Sequence, residues 1–256
     1  MTPLASLALL FALGLLIGSF LNVCIYRLPR RESLNWPGSH CTSCQRPLSW
    51  YENVPVVSWL VLRGRCRTCG DGISAMYPLV ELITGLLFAG GYLIYGWTPL
   101  LAVRLLFACA MVVLFAIDLR HRILPNVITL PGIVAGLAFS FMLPPGWLAA
   151  LIGAVAGGGA LFLIAEVYYR VRGVEGLGMG DVKMLAMIGA FLGWQLTLVT
   201  LMLASFSGSL VGVALIAGGR RSMQAALPFG TFLAVGALVA AVYGDVLLAW
   251  YLSFYS

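Results

Sequence analysis

Long apolar runs, each close to the ~20 residues that cross a bilayer as a helix, dominate this chain. These runs cover residues 3–26, 77–95, 99–117, 127–143, 148–169 and 229–252. Another run, 183–217, is too long for one crossing and barely long enough for two, so we expect it to break at Gly193-Trp194-Gln195. The pattern therefore predicts an all-α polytopic membrane protein with about eight transmembrane helices.

One polar stretch, residues 27–76, is long enough to form a domain of its own. We therefore expect three parts: a first transmembrane helix at 1–26, a loop domain at 27–76, and a membrane domain of about seven helices at 77–256. The first apolar run has no charged residue before Arg27, whereas a secretory signal carries basic residues ahead of its apolar core. We expect this run to be retained as a membrane span.

The composition agrees with the membrane interpretation. Hydrophobic residues make up 61% of the chain, charged residues only 9%, and the mean hydropathy is +1.00. Soluble domains are about 45–50% apolar and about 25% charged, so this chain lacks the polar residues that would cover a water-soluble surface. A soluble enzyme, a disordered protein and an ordinary nucleic-acid-binding domain are thereby excluded.

The positive charges fall on one side of the predicted topology. If the chain crosses eight times, alternate loops hold 14 of the 15 basic residues and the opposite loops hold none. These residues are Arg27, Arg30, Arg31, Arg46, Arg63, Arg65, Arg67, Arg120, Arg122, Arg170, Arg172, Lys183, Arg220 and Arg221. Because basic loops remain in the cytoplasm, we expect this face to be cytoplasmic. The net charge of +6 then reflects membrane orientation and not an acidic partner such as nucleic acid.

Four cysteines in the polar loop form two C-x2-C pairs, Cys41/Cys44 and Cys66/Cys69, separated by 21 residues. Each pair can direct two thiolates to one point, and two pairs complete a tetrahedral zinc site. The alternative is two disulfides or a redox relay, but thiols on a cytoplasmic face are kept reduced, so we predict structural zinc. We also expect a small apolar core in this loop, formed by Leu48, Trp50, Val54, Val56, Val57, Trp59 and Leu60.

Two acidic residues share the cytoplasmic boundary of the predicted spans, although 62 residues separate them. Asp118 ends the third apolar run, and Asp181 opens the sixth within Gly178-Met179-Gly180-Asp181-Val182-Lys183. Two carboxyl groups held close share a proton, so the charged one can deprotonate a water while the protonated one polarises a peptide carbonyl. This is aspartic-protease chemistry, and Gly178 and Gly180 would admit an extended substrate backbone.

Each aspartate also has a purely structural interpretation. Asp118 can form an ion pair with Arg122, four residues further on. Asp181 can cap the helix that follows it. Either arrangement would leave the two carboxyl groups without a catalytic role.

Several motifs follow one another along most of the chain. They are Gly18-Ser19-Phe20-Leu21-Asn22-Val23, Tyr26-Arg27-Leu28-Pro29, the two C-x2-C pairs with Trp50-Tyr51-Glu52-Asn53-Val54-Pro55 between them, Tyr77-Pro78-Leu79-Val80-Glu81-Leu82, Asp118 with Leu124-Pro125-Asn126, and the segment around Asp181. This order resembles the type 4 prepilin peptidases, the bifunctional leader peptidase/N-methyltransferases that serve type IV pili and type II secretion. One departure is Met76, at a position where the family often has Arg.

The resemblance implies that Asp118 and Asp181 are the catalytic pair of a G-x-G-D aspartyl protease, with Gly178, Gly180 and Lys183 in its active-site loop. It implies that the substrates are prepilins or pseudopilins, cleaved after a short basic leader at the cytoplasmic face of the bacterial inner membrane. It also implies methylation of the new N-terminus with S-adenosylmethionine as donor. The sequence assigns no residue to the methyl donor and does not fix the oligomeric state.

Three other functional classes remain open on the sequence. A membrane thiol-disulfide oxidoreductase would use the cysteine pairs for redox chemistry. A non-enzymatic scaffold would use zinc and the aspartates only for stability. A presenilin-type protease shares the G-x-G-D chemistry, but the four-cysteine loop and the boundary depth of both aspartates argue against it.

Overall fold

A computed structural model describes residues 2–174, 178–218 and 227–254 of this chain. The α-helices in these ranges are α1 (Pro3–Arg27), α2 (Val57–Val61), α3 (Met76–Tyr95), α4 (Pro99–His121), α5 (Asn126–Phe139), α6 (Trp147–Arg172), α7 (Met179–Ala217) and α8 (Phe229–Leu252). Short 3-10 helices occupy Leu28–Arg30 and Trp50–Asn53. The prediction of an all-α polytopic fold is therefore confirmed.

In the described ranges, six helices are long and apolar enough to cross a membrane: α1 with the turn that follows it, α3, α4, α6, α7 and α8. The predicted span at 127–143 is shorter in the structure, because α5 ends at Phe139 and turns lead to Pro144-Pro145. A helix of 14 residues is about 21 Å long, less than the ~30 Å thickness of the hydrocarbon core. The structure thus gives six candidate spans and one short apolar helix.

Helix α7 breaks at Gly193, where we expected a break. Gly193 has φ 79° and ψ 168°, a backbone conformation that favours glycine, and it joins two helical arms, 179–192 and 194–217. A Cβ on Gly157 of α6 would lie 3.4 Å from Leu185 Cγ in the first arm and 2.8 Å from Thr197 Cγ2 in the second. A straight helix would separate Leu185 from Thr197 by about 18 Å, so the two arms must fold back on one another.

The described residues divide after Val113 into two compact units. In the first unit, α1 and α3 pack through glycines, because a Cβ on Gly14 would lie only 2.8 Å from the Cα of Gly85. Membrane helices have little hydrophobic drive to associate, so close backbone approach supplies dispersion contacts instead.

The second unit is built around α7. Its first arm contributes fully buried side chains such as Met184 and Ile188. Its second arm runs antiparallel to α8, since Gly244 packs on Leu196 and Gly236 on Thr200. The predicted basic residues Arg220 and Arg221 lie outside the described residues. This packing brings one end each of α4, α5, α7 and α8 together around the candidate active site.

Polar groups, not an apolar core, organise the loop at 27–76. The buried Arg27 guanidinium donates to the carbonyl oxygens of Ser33, Leu34, Pro37 and Gly38 at 2.6–3.3 Å. The predicted apolar core is wrong: Trp50 is 82% exposed and Leu60 61% exposed. The α-helix of this loop, Val57–Val61, is only five residues long and leaves most of its apolar side chains exposed.

Candidate active site and metal centre

Asp118 lies in the last turn of α4, one turn further into the helix than the sequence pattern indicated. Its side chain is buried, and its Oδ2 atom accepts hydrogen bonds from the main-chain N–H (2.7 Å) and the hydroxyl Oγ1 (3.0 Å) of Thr231. Thr231 belongs to the first turn of α8. A Cβ on the neighbouring Gly230 would lie 3.0 Å from the same carboxylate oxygen, so glycine permits this close approach.

Asp181 lies in the first turn of α7 and is partly buried. The helix start at Gly178 is exposed, and Gly180 packs on Leu124, which would lie 3.0 Å from a Cβ added there. Leu124 also lies against Gly230, at 2.9 Å from its Cβ position. This single leucine therefore joins the start of α7 to the start of α8, where Asp118 is bound.

Both aspartates line one cavity of about 280 Å³. Its lining residues are Asp118, Arg122, Ile123, Leu124, Asn126, Gly178, Gly180 and Asp181. The structure thus brings together four of the five residues that we predicted for the active site. The fifth, Lys183, is bonded to a residue of the cavity lining: its Nζ donates to Asn126 Oδ1 at 3.0 Å and so links α7 to α5.

The structural interpretations of the aspartates account for only part of the observed contacts. Among the described residues, the ion pairs are Arg46–Glu52 and Arg170–Glu166, and Asp118 binds Thr231 instead of Arg122. Gly178 is the N-cap residue of α7, and no side chain caps that helix. Both aspartates line the same cavity.

Thr231 is the residue that our sequence analysis missed. A threonine in an apolar span is common and carries no charge, so neither periodicity nor charge marks it. The one local signal was its place beside Pro228-Phe229-Gly230, where the last apolar run begins.

The four cysteines of the loop converge on one point. Cys41, Cys44, Cys66 and Cys69 place their sulfur atoms within 4.8 Å of one another. Each pair sits on the same kind of turn, with Cys41 N–H bonded to Arg46 O and Cys66 N–H bonded to Asp71 O. A residue with positive φ closes each turn, Gln45 in the first and Gly70 in the second.

The sulfur spacing fits a tetrahedral metal ion. With metal–sulfur bonds of ~2.3 Å, a tetrahedron has sulfur–sulfur edges of about 3.8 Å. The Sγ atoms of Cys41 and Cys69 lie 3.8 Å apart. All six cysteines of the chain are free thiols. The main-chain N–H groups of Cys69 and Thr68 lower the pKa of the Cys66 thiol to about 6, which favours the thiolate that a metal binds.

Two polar contacts support the cysteine turns. The Ser43 hydroxyl donates to the Asp71 carboxylate, joining one turn to the other and lowering the pKa of Asp71. Arg46 bonds to Glu52 at 2.7 Å. That guanidinium and the Ser49 main-chain N–H hold the pKa of Glu52 at about 2. The loop is therefore ordered by charge-assisted hydrogen bonds around its cysteines.

Comparison with known proteins gives matches along most of the chain. Residues 12–95 match the bacterial peptidase A24 N-terminal domain, and residues 105–213 match the type IV leader peptidase family. A relative from Aeromonas salmonicida is 39% identical over 98% of this chain and 95% of its own length. This chain belongs to the type IV leader peptidase family. The resemblance inferred from the sequence motifs is thus confirmed.

Other members of this family give the same result. A Myxococcus xanthus relative is 47% identical over 82% of this chain and 64% of its own length. A Pseudomonas aeruginosa relative is 36% identical over 98% of this chain and 95% of its own. All three relatives bear the name prepilin leader peptidase/N-methyltransferase. No solved structure matches this chain.

Proposed function

We propose that this protein is a membrane aspartyl endopeptidase that removes the short basic leader from type IV prepilins or pseudopilins and methylates the new N-terminal residue. Its family membership and the shared name of its relatives support both activities. The observation that carries the proposal is the single cavity into which Asp118 and Asp181 both open.

Peptide cleavage needs one ionised and one protonated carboxyl group. The ionised aspartate takes a proton from a water molecule, whose oxygen attacks the scissile carbonyl carbon. The protonated aspartate donates its hydrogen to the carbonyl oxygen, and a proton then passes to the leaving nitrogen as the C–N bond breaks. Gly178 and Gly180 have no side chains to obstruct an extended substrate, and Lys183 positions the cavity wall through Asn126.

The cavity faces the cytoplasm in the topology that we propose. Crossings by α5 and by each arm of α7 would raise the six candidate spans to eight. Because α5 and the first arm of α7 are each only 14 residues long, we propose that the residues flanking them complete these two crossings. Eight crossings put the basic loops on one side, and the positive-inside rule then orients the cysteine loop and both aspartates toward the cytoplasm of a bacterial inner membrane. In this topology we propose a first transmembrane helix at 1–26, a loop domain at 27–76 and a membrane domain at 77–256.

The substrate has matching geometry. A prepilin is itself a membrane helix with a basic leader, so its scissile bond lies at the membrane surface. Asp118 lies in the last turn of α4 and Asp181 in the first turn of α7, so in the proposed topology both carboxyl groups lie near that same depth. The lipid bilayer therefore presents substrate and enzyme to one another, and no deep water channel is needed.

A structural Zn²⁺ ion would be held by Cys41, Cys44, Cys66 and Cys69. When bound, it would fix the two turns of the loop, as closed four-cysteine sites do in other proteins. S-adenosylmethionine would supply the methyl group. The N-methyltransferase name of the relatives supports this donor class.

Single substitutions test the proteolytic assignment. Asp118→Ala and Asp181→Ala should each abolish cleavage of a co-expressed prepilin, because the chemistry needs both carboxyl groups. Asp245→Ala is the matched control, since Asp245 is an exposed acid in α8 that does not line the cavity. Near wild-type cleavage by either cavity variant, at equal membrane levels, would contradict the proposal.

A further inference from the structure

Asp118 has two hydrogen-bond donors on a single oxygen atom. Thr231 donates to Oδ2 from its main-chain N–H at 2.7 Å and from Oγ1 at 3.0 Å. A main-chain N–H can only donate, so Oδ2 must act as an acceptor. Donors directed at a carboxyl oxygen favour the charged form of the group.

The position of Thr231 adds to this effect. Thr231 lies in the first turn of α8, which starts at Phe229 after the N-cap Pro228. The first N–H groups of a helix have no partner within the helix, and the helix dipole favours negative charge at that end. Asp118 therefore accepts a hydrogen bond that the helix leaves open, and Gly230 leaves room for it to do so.

Asp181 has a different environment. It also lies in a first helical turn, but its Oδ2 faces the backbone at Gly178, 3.5 Å from the position that a Cβ would take there. Thr231 donates to Asp118 from both its main chain and its hydroxyl, whereas the donor beside Asp181 is the main-chain N–H of Gly178, and among the described residues no hydroxyl bonds to Asp181. The pair is therefore asymmetric in its hydrogen bonding.

We infer that Thr231 holds Asp118 as the ionised member of the pair, so that Asp118 is the general base and Asp181 the proton donor. This assignment rests on the proposed proteolytic function and adds a positioning residue to it. Other charged groups at the cavity are Asp181 itself and Arg122, while Lys183 is bonded to Asn126. None of these contacts replaces the two donors of Thr231.

The two limbs of the pH–rate profile separate the two possible assignments. The acid limb reports loss of the first proton from the pair, and the alkaline limb reports loss of the second. If Asp118 is the ionised member, Asp118 is charged both when the pair has lost one proton and when it has lost two. Removing a donor from Asp118 then destabilises both of these states equally, so loss of the first proton becomes harder and loss of the second is unaffected. Only the acid limb then moves. If Asp181 were the ionised member, only the alkaline limb would move.

Thr231→Val removes the hydroxyl and keeps both the side-chain shape and the main-chain donor. We expect the acid limb of kcat/KM for prepilin cleavage to move up by about one pH unit, with the alkaline limb unchanged, because a hydrogen bond to a charged group has about that effect. Thr231→Ser should restore the wild-type profile. Thr200→Val is the matched control, since Thr200 is a buried threonine whose hydroxyl bonds only within α7.

Two results would overturn the inference: a shift confined to the alkaline limb, or wild-type limbs in Thr231→Val. If Thr231→Val does not accumulate in the membrane, Thr231→Ala makes the same test with a smaller side chain. These results differ from those expected if the proposed function itself is wrong. In that case the wild-type protein would not cleave prepilin, or the Asp118→Ala and Asp181→Ala variants would remain active.

Discussion

Gly230→Ala tests how closely the first turn of α8 packs against the Asp118 carboxylate. The added Cβ would lie 3.0 Å from Asp118 Oδ2 and 2.9 Å from Leu124 Cδ1. Ordinary contact begins at 3.4 Å, so the carboxylate must retreat by about 0.4 Å and lengthen its bonds to Thr231. A displacement of ~1 Å at a catalytic group can cost ~100-fold in rate, and we expect a loss of roughly 10- to 100-fold in kcat/KM.

The fold should tolerate this change. The atom nearest to the added Cβ is Cδ1 at the end of the flexible Leu124 side chain, which can move aside at little cost. Gly159→Ala is the matched control, because a Cβ on that helical glycine meets no atom within 4 Å. The assay is the initial rate of prepilin cleavage in detergent or liposomes, normalised to folded enzyme. Equal rates for Gly230→Ala and Gly159→Ala would refute the close approach of α8 to Asp118.

Three further predictions concern the fold and the loop. Gly189→Ala should lower the thermal stability of the detergent-solubilised protein, because its Cβ would lie 2.2 Å from the backbone of Gly153, whereas Gly90→Ala, with open space around it, should not. Metal analysis of the purified protein should find about one zinc ion per chain and much less in Cys44→Ser. Thiol labelling should rise after chelation, whereas redox-active disulfides without metal would favour an oxidoreductase. Above about pH 4.5, the wild-type loop should resist protease better than the loop of Glu52→Gln. This difference should vanish as the pH falls toward 2, because Arg46 holds the pKa of Glu52 at about 2 and protonation then removes the ion pair.

Some features could be predicted because they depend on local chemistry. Gly193 interrupts an apolar run that was too long for one crossing, and only a backbone break accommodates it. The spacing of the four cysteines is a property of two short turns, which fold in the same way wherever they occur. Asp118 and Asp181 were singled out because both lie at the cytoplasmic boundary of the predicted spans, a location that the apolar pattern itself defines.

Other features depend on contacts that the local sequence does not contain. The bond from Thr231 to Asp118 joins residues 113 positions apart. The apolar residues of the loop were expected to bury one another, yet Trp50 and Leu60 are largely exposed. Arg27 and Glu52 organise that loop by hydrogen bonds, and polar residues give no periodic signal of the carbonyl or guanidinium partner they will find.

The shortening of α5 has a physical cause that hydropathy does not register. Residues 140–143 are as apolar as the helix before them, so the pattern extended the span to 143. The structure ends the helix at Phe139, ahead of Pro144-Pro145. Helices usually end at or before the residue that precedes a proline, and here residues 140–143 form turns ahead of α6.

The most direct test of the central claim is one mass spectrum of a prepilin co-expressed with this protein. With wild-type enzyme we expect the substrate to lose its leader and to gain the mass of one methyl group at its new N-terminus. With Asp181→Asn we expect it to keep both its leader and its original mass. A wild-type sample in which the prepilin keeps its leader, or an Asp181→Asn sample in which the leader is lost, would contradict the assignment of the aspartate cavity as a peptidase site.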